Sequence, residues 1–583
     1  MDEETLRAGF YAEISALEDR ILELKSQINE LAKVSRLPDE LLCVVFALYK
    51  EKEFRLRGYF FSDRPDYSLP SRRDLLSWTK ITRVCRRWRA AAIDCPSLWG
   101  DLAQTMRLPW LNRAISRAKE APLSIRFLCT RIPMSQEEQV LVPILSRVGQ
   151  LRRGCLEGIP TVLEDILKSW TQSAPHLEEL SIFPKPARAL ISLPSPFINS
   201  CAPKLKHLSL WNCLLPANAS SLQALTRLAI TMNTTDAGLQ LDLLLDALSS
   251  SPSITTLSLS VSRLESSSPT VLHRSPIPLR QLKSLELKST CQGCADLLGR
   301  LHLPSTVSFH VDGYGTTSSA LKNLRTALIT SWVSAPLVER PPPKLCIKDL
   351  IIDSYSGGNL LCKGCVGARR DEGGHPFSFL FAVGGNDRIA PLLRSIAELL
   401  PLSYAQSLQL NDSWLRHEDY VSLLSVGFPE VRSLDIEHGS AEYVLAYLRS
   451  DPALQSASES TVQSRPSLVY FPNLTSLTIT CAYMIQERRS MDGLCISLRQ
   501  LMKLLGLRSR LGYRLKELHF YGCYYISKSG SQRFEEVVDE MNWTERERWD
   551  DRDDYPDEEQ GSDDDWWMWE DSDDEQVDSD ASD

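Results

Sequence analysis

The chain has 583 residues, 43% hydrophobic and 24% charged, ordinary usage that excludes a fibre and a wholly disordered chain; at roughly 150 residues per domain the prior is about four units, or fewer if one is a long repeat array. The net charge of −10 is uneven: residues 531–583 hold 24 acidic side chains against four arginines, so the preceding 530 residues carry 61 basic and 51 acidic ones, a net of +10. A mildly basic body carries an acidic tail.

The start, Met1-Asp2-Glu3-Glu4, lacks the basic and apolar regions of a secretory signal. Uncharged runs such as Ala189 to Pro203 are broken by proline and fall short of the roughly 20 apolar residues of a membrane helix. The expectation is an intracellular chain, cytoplasmic or nuclear or both, with no membrane partner. Its 15 cysteines are then expected to be reduced and mostly buried, with no disulfide framework.

Residues 1–35 read as a heptad helix. Ile14, Leu17, Ile21, Leu24, Ile28 and Leu31 alternate steps of three and four, while Glu18, Asp19, Arg20, Glu23, Lys25 and Glu30 fill the other faces. Two readings stay open: the stripe lies on the next domain, or residues 14–31 pair as a coiled coil and the chain self-associates.

Residues 36–102 carry the most specific signal. Arg36-Leu37-Pro38-Asp39-Glu40-Leu41-Leu42-Cys43-Val44-Val45-Phe46 opens a helix, with Pro38 where a missing N–H costs nothing and Asp39 and Glu40 at the positive end of the dipole. Leu41, Leu42, Val45 and Phe46 are expected on one apolar face. After a variable stretch come Trp78-Thr79-Lys80-Ile81-Thr82-Arg83-Val84-Cys85-Arg86-Arg87-Trp88-Arg89 and Asp94-Cys95-Pro96-Ser97-Leu98-Trp99. Ile81, Val84, Cys85 and Trp88 predict a second helical stripe, with the arginines mostly opposite. So small a helical module needs a partner to bury enough surface.

These residues resemble an F-box, particularly the F-box-like domains abundant in fungal proteins, in which a heptad helix often precedes the module. The resemblance covers about 65 residues and departs in an insert from Tyr49 to Ser77. It implies docking on a Skp-family adaptor and, through it, a cullin-RING ubiquitin ligase. The adaptor-binding residues it implies, either contacts or the core that shapes them, are Leu37, Pro38, Glu40, Leu41, Val45, Val84, Cys85, Trp88 and Trp99. The arginines from Arg83 to Arg89, with Arg72, Arg73 and Lys80, also suit phosphates, but no nucleic-acid motif accompanies them and no nucleic acid is expected.

Residues 103–173 read as a helical linker region, with a strand at Ala121 to Phe127. From 174 to 530 a phrase L-x-x-L-x-L recurs, at Leu177–Ile182, Leu205–Leu210, Leu225–Ile230, Ile254–Leu259, Leu282–Leu287, Ala405–Leu410, Val431–Ile436, Leu474–Ile479 and Leu515–Phe520. This is the phrase of leucine-rich repeats, whose short strands bury alternate side chains on their neighbours. The fold class expected is thus α+β or α/β repeat: a heptad helix and a small all-α F-box module, then an irregular leucine-rich-repeat solenoid and a disordered acidic tail. Residues between the leucines are expected on the surface that meets an unidentified protein target: Ser181, His207, Ser209, Ser258, Glu286, Gln409, Asp435, Thr478 and His519. Helices are expected at Gly238 to Ser249 and Ile389 to Leu400, and the stretch Gly357 to Gly385, with eight glycines, reads as an exposed loop.

No catalytic set is visible. Cys362-Lys363-Gly364-Cys365 with His375, and Cys291-Gln292-Gly293-Cys294, imitate halves of a zinc site, yet the pairs lie 67 residues apart without a clear second histidine. Gly313-Tyr314-Gly315 imitates a dinucleotide turn, with Ser318 at the third glycine's place. His417-Glu418 lacks the later histidine of H-E-x-x-H. No enzyme, cofactor or metal is expected.

Residues 531–583 start as a candidate helix and become disordered and acidic, with Trp566, Trp567 and Trp569 inside the charged field. The tail either solvates the chain or docks on a basic partner. The sequence therefore points to a substrate-recognition subunit of a Skp-cullin-F-box type ligase. The alternative is a non-ligase interaction scaffold or histone-binding protein that works through its tail.

Overall fold

The last two leucines of each phrase stand on one side of an extended chain, because a strand repeats every two residues. In the computed structural model these phrases lie on strands of one 17-stranded sheet. The structure describes residues 3–57, 75–103, 106, 108–129, 144, 147–169, 174–185, 190–193, 202–215, 222–233, 238–265, 275–304, 306–333, 347–355, 359–366, 375–382, 402–411, 417–425, 427–437, 440–459, 468, 470–481, 483–485, 495–523 and 533–544.

In chain order the sheet's strands are β1 (Asp101–Ala103), β2 (Leu123–Cys129), β3 (Leu151–Gly158), β4 (Glu179–Pro184), β5 (His207–Trp211), β6 (Arg227–Met232), β7 (Thr256–Val261), β8 (Ser284–Thr290) and β9 (Ser308–Tyr314). Then follow β10 (Ile347–Tyr355), β11 (Asn359–Val366), β12 (His375–Ala382), β13 (Ser407–Asn411), β14 (Ser433–Glu437), β15 (Ser476–Thr480), β16 (Leu515–Tyr521) and β17 (Val538–Thr544). From β1 to β9 each strand pairs with the next in parallel, and β13 to β17 do the same. The register aligns the leucines: Leu180, Leu208, Leu228, Leu257, Leu285 and Phe309 stand opposite one another on successive strands, and all are buried. Each such side chain gains about 1.5–3 kcal/mol on burial, but only against a neighbouring strand, so the array is cooperative along its length.

Between the two runs, β10, β11 and β12 form an antiparallel meander inserted back to front. β12 pairs in parallel with β9, and β10 pairs in parallel with β13, leaving β11 running against both its neighbours. Gly364 is where this crossing is tightest, since a Cβ there would lie 2.1 Å from the Asp349 carbonyl oxygen and 2.9 Å from the Phe377 ring. Phe309, Trp332, Phe377 and Phe379 pack ring on ring beneath the meander.

In a parallel run the chain must return from the end of one strand to the start of the next, and helices make several of these crossings. Leu241–Ser249 buries Leu241, Leu244, Leu245 and Leu248, and Leu498–Arg510 buries Leu498, Leu501, Leu504 and Leu505, at the three-and-four spacing of one helical face. Thr290, Thr317 and Ser497 cap three of these helices, each side-chain oxygen accepting the backbone N–H three residues on.

Four expectations change. Gly357 to Gly385 does not form one loop: β11 and β12 occupy most of it, and Gly364 of β11 admits the close approach of its neighbours. Residues 103–173 are less helical than expected: β2 falls on the strand expected there, but β3 also lies between the two helices, Leu108–Ala118 and Pro160–Ser169, so the sheet begins at Asp101. The start of the expected tail forms a 3-10 turn, Arg533–Glu536, and then β17, because Val538 and Phe534 are buried and Trp543 packs partly against the core. Ser209 is buried, not at the surface, at the floor of a depression lined by Glu179, His207 and Arg227. The helix expected at residues 389–400, the acidic tail from 545 to 583, and Arg72 and Arg73 lie outside the described residues. Among the described residues no helix is long and apolar enough to cross a membrane.

Candidate partner-binding surface

The helix α1 spans Glu3–Glu30 and α2 spans Asp39–Arg57. Apolar residues surround much of α2, and the fold sorts them into two faces. Leu42 and Phe46 are buried, and Cys43, Ala47 and Tyr49 pack partly against the same core. Leu41, Val44, Val45 and Leu48 point the other way and remain 50%, 55%, 46% and 61% exposed. Their spacing of three, one and three residues makes a single helical stripe. Val84, at the end of the 3-10 segment Ser77–Arg83, adds another exposed apolar side chain, and Val34 is exposed just before the module.

The inward face of α2 is fixed by aromatic packing. Phe46 lies 5.1 Å from Trp88, centroid to centroid, and Trp78 meets Trp99 edge-on at 5.1 Å, arrangements that add about 0.5–1.5 kcal/mol each beyond area burial. The Trp99 ring donates from Nε1 to the Ala92 carbonyl oxygen at 3.0 Å and carries the Arg117 guanidinium 4.4 Å above it. It also stacks on Trp110. The module is therefore packed directly on the first helix and strand of the sheet region.

Helix α3, Arg86–Asp94, starts after a break in which Val84 is αR and Cys85 is extended; the Cys85 Sγ accepts from the Trp88 N–H at 3.4 Å as an N-cap. Ile81, Val84, Cys85 and Trp88 thus form no continuous stripe: Ile81 is buried and Val84 exposed because the helix is interrupted between them. Arg87 turns back to bind Asp39 Oδ1 through Nε at 3.0 Å and Nη2 at 2.9 Å, and donates to the carbonyl oxygens of Ser35 and Leu37. One guanidinium clamps the segment that presents Leu37 and Pro38.

Of the residues implied by sequence, Pro38, Glu40, Leu41, Val45 and Val84 lie exposed around this surface. Leu37 and Trp88 pack partly into the core, Cys85 caps α3, and Trp99 is buried, so these four shape the surface more than they offer it. The expected single face of Leu41, Leu42, Val45 and Phe46 is split: Leu42 and Phe46 are buried in the core, Phe46 against Trp88, while Leu41 and Val45 are exposed. Val44 and Leu48 were missed; their i+3 and i+7 spacing from Leu41 was the available signal. Lys80, Arg83, Arg86 and Arg89 are exposed nearby and give the rim positive charge.

The open face of the sheet is a second surface. One row runs Arg126, Cys155, Ser181, Ser209, Ala229, Ser258, Glu286 and His310 on successive strands, and another Gln409, Asp435, Thr478 and His519. Over Ser209 lies a shallow depression bordered by Glu179, His207 and Arg227. Charges on β3 to β5 pair locally, Arg153 and His207 both approaching Glu179, at 3.4 Å and 3.5 Å. On β10 and β13 to β17 the open-face positions carry Asp349, Asp353, Asp435, Glu437, Glu517 and Glu540. Burial, and then the Glu437 carboxylate, holds the Asp435 carboxyl above its ordinary pKa.

Cys291 and Cys294 are buried on a helix, and Cys362 and Cys365 on β11. Burial pushes the Cys213, Cys291 and Cys362 thiols up to about 12, so at neutral pH these behave as small apolar groups, not nucleophiles. Among the described residues no group of three or more His, Cys, Asp and Glu side chains converges to hold a metal ion; the side chains of His375 and His417 lie outside them. The chain matches no protein-family model, and no curated protein matches it.

Proposed function

We propose that this protein is the substrate-recognition subunit of a Skp-cullin-F-box type ubiquitin ligase. Residues 36–102 act as an F-box that docks on a Skp-family adaptor, and the strand array, an irregular leucine-rich-repeat solenoid, holds a target protein on its open face. The observation that supports this most is the exposed stripe of Leu41, Val44, Val45 and Leu48 beside Val84, on a helix whose opposite face is anchored by tryptophans. A contiguous apolar patch backed by a rigid core and rimmed by arginines has the character of a protein-docking site. The subunit is not an enzyme and uses no cofactor or metal; its contribution is proximity, holding a target lysine near the charged conjugating enzyme.

Co-expression of the full chain with a Skp-family adaptor, followed by size-exclusion chromatography at low and high salt, tests the reading. Co-elution should survive salt, because apolar docking is not screened, and should be lost in Leu41→Asp/Val45→Asp. A folded wild-type chain that never co-elutes would sink the ligase reading and leave the scaffold or histone-binding alternative.

A further inference from the structure

The seam of α1 is uncovered. No residue of this 28-residue helix is buried. Ile14, Leu17, Ile21, Leu24, Ile28 and Leu31 are 51%, 59%, 50%, 44%, 66% and 82% exposed, so the stripe does not lie on the neighbouring module. Past Glu30 the chain continues the winding with tighter bonds, Leu31 N–H to Ile28 and Ala32 N–H to Asn29, which keeps Leu31 in line with the seam. Isoleucine falls at each a position (14, 21, 28) and leucine at each d position (17, 24, 31), an apolar seam unbroken over three heptads.

The flanking charges decide what the second helix is and how it runs. In a parallel pair of identical helices, Glu13 would face Glu18 of the second copy and Arg20 would face its Lys25, each contact occurring twice and each repulsive. In an antiparallel pair centred between Ile21 and Leu24, Ile14 meets Leu31 of the second copy, Leu17 meets Ile28 and Ile21 meets Leu24. Glu18 then lies beside Lys25 of the second copy, twice, and Arg20 lies beside Gln27. Shifting this pair by one heptad in one direction brings Glu18 onto Glu18 and Arg20 onto Arg20; in the other it brings Lys25 onto Lys25. One arrangement satisfies both the seam and its borders.

We infer that α1 pairs antiparallel with α1 of a second copy of this chain, in the register that places Ile21 opposite Leu24. The chain is then a dimer whose two docking modules, each joined to α1 by the short turn Lys33–Arg36, sit at opposite ends of the paired helices. This does not rest on the ligase reading, and its test contains no adaptor.

Sedimentation equilibrium of the full chain, wild type against Glu18→Lys, Lys25→Glu, their combination and Ile21→Asp/Leu24→Asp, gives the answer. All four positions are exposed, so none of the changes threatens the rest of the fold. The wild type is expected to dimerise and Ile21→Asp/Leu24→Asp to be monomeric. Either single reversal turns two attractive contacts into two repulsive ones and weakens the dimer about tenfold, while the combined reversal restores it. A monomeric wild type overturns the inference, as does a dimer that survives Ile21→Asp/Leu24→Asp. Tightening by either single reversal overturns it too, because that is the response of a parallel pair.

Discussion

Lys50, on the buried side of α2, donates from Nζ to the Leu98 carbonyl oxygen at 2.6 Å and forms an ion pair with Asp101, the first residue of β1. The same ammonium sits 5.5 Å from the Trp78 ring centroid. A buried cation on the N-terminal module is thus neutralised by the sheet, which joins the two parts without a loose hinge. Lys50→Ala leaves Asp101 and the Leu98 carbonyl without this partner and is expected to cost about 2–4 kcal/mol, discounted because Asp101 is partly exposed. Lys50→Met paired with Asp101→Asn should recover part of it. The unfolding midpoint of the full chain, followed by near-ultraviolet circular dichroism, checks both.

The two faces of α2 should separate stability from binding. Leu42→Ala and Phe46→Ala each leave a cavity and should destabilise by about 2–5 kcal/mol. Leu41→Ala and Leu48→Ala should leave the unfolding midpoint within about 0.5 kcal/mol of wild type. On the proposed function each should weaken adaptor binding by about 1–2 kcal/mol, measured by titration calorimetry. Equal effects on stability from both pairs would contradict the orientation of the helix.

Arg508 is buried near the C-terminal end of the sheet, donating to the carbonyl oxygens of Tyr470 at 3.4 Å and Phe471 at 3.0 Å. Burial lowers its pKa to about 10, with the nearby Asp451 acting in the opposite sense. Asp451 is itself buried and accepts the backbone N–H groups of Ala453 and Tyr470. Arg508→Ala is expected to destabilise by about 3–5 kcal/mol, since it removes the positive charge near a buried carboxylate and takes a donor from two carbonyls. Arg508→Lys should rescue little, because one ammonium does not reproduce the guanidinium fork. Urea unfolding of the two variants against wild type decides the matter.

Asp435 should make the chain slightly less stable at neutral pH than it would otherwise be. Its folded pKa lies above the ordinary value through burial first and Glu437 second, and its cross-strand neighbours Gln409 and Thr478 carry no compensating charge. A raised carboxyl binds more protons folded than unfolded, so its penalty is absent below the unfolded pKa, grows as pH rises, and is complete above the folded pKa. Asp435→Asn is therefore expected to raise the unfolding midpoint at pH 7, with the gain vanishing as pH falls below the ordinary aspartate range. A gain that persisted unchanged in acid would refute an electrostatic origin.

The nine leucine phrases were legible because strand alternation is written locally, as was the seam of α1, whose period needs no distant residue to define it. The strands without a full phrase were harder. β2 is legible from Leu123, Ile125 and Phe127 in alternation, but β3 has Gly154 where a leucine would stand, and β10 holds Ile347-x-x-Leu350-x-Ile352, a complete phrase hidden among uneven gaps. β11 and β12 are bordered by glycines that read as a loop until their pairing partners are known. In α2 the apolar residues Leu41, Leu42, Val45 and Phe46 are locally equivalent. Which of them face the core was decided by Trp78, Trp88 and Trp99, supplied from dozens of residues away. Sequence by itself determined the repeating strands, the seam and the uneven charge, all of which depend on near neighbours. Tertiary structure alone decided the reversed meander and the outward stripe on α2, because burial is a choice among side chains of similar hydrophobicity that only the packing partners can make.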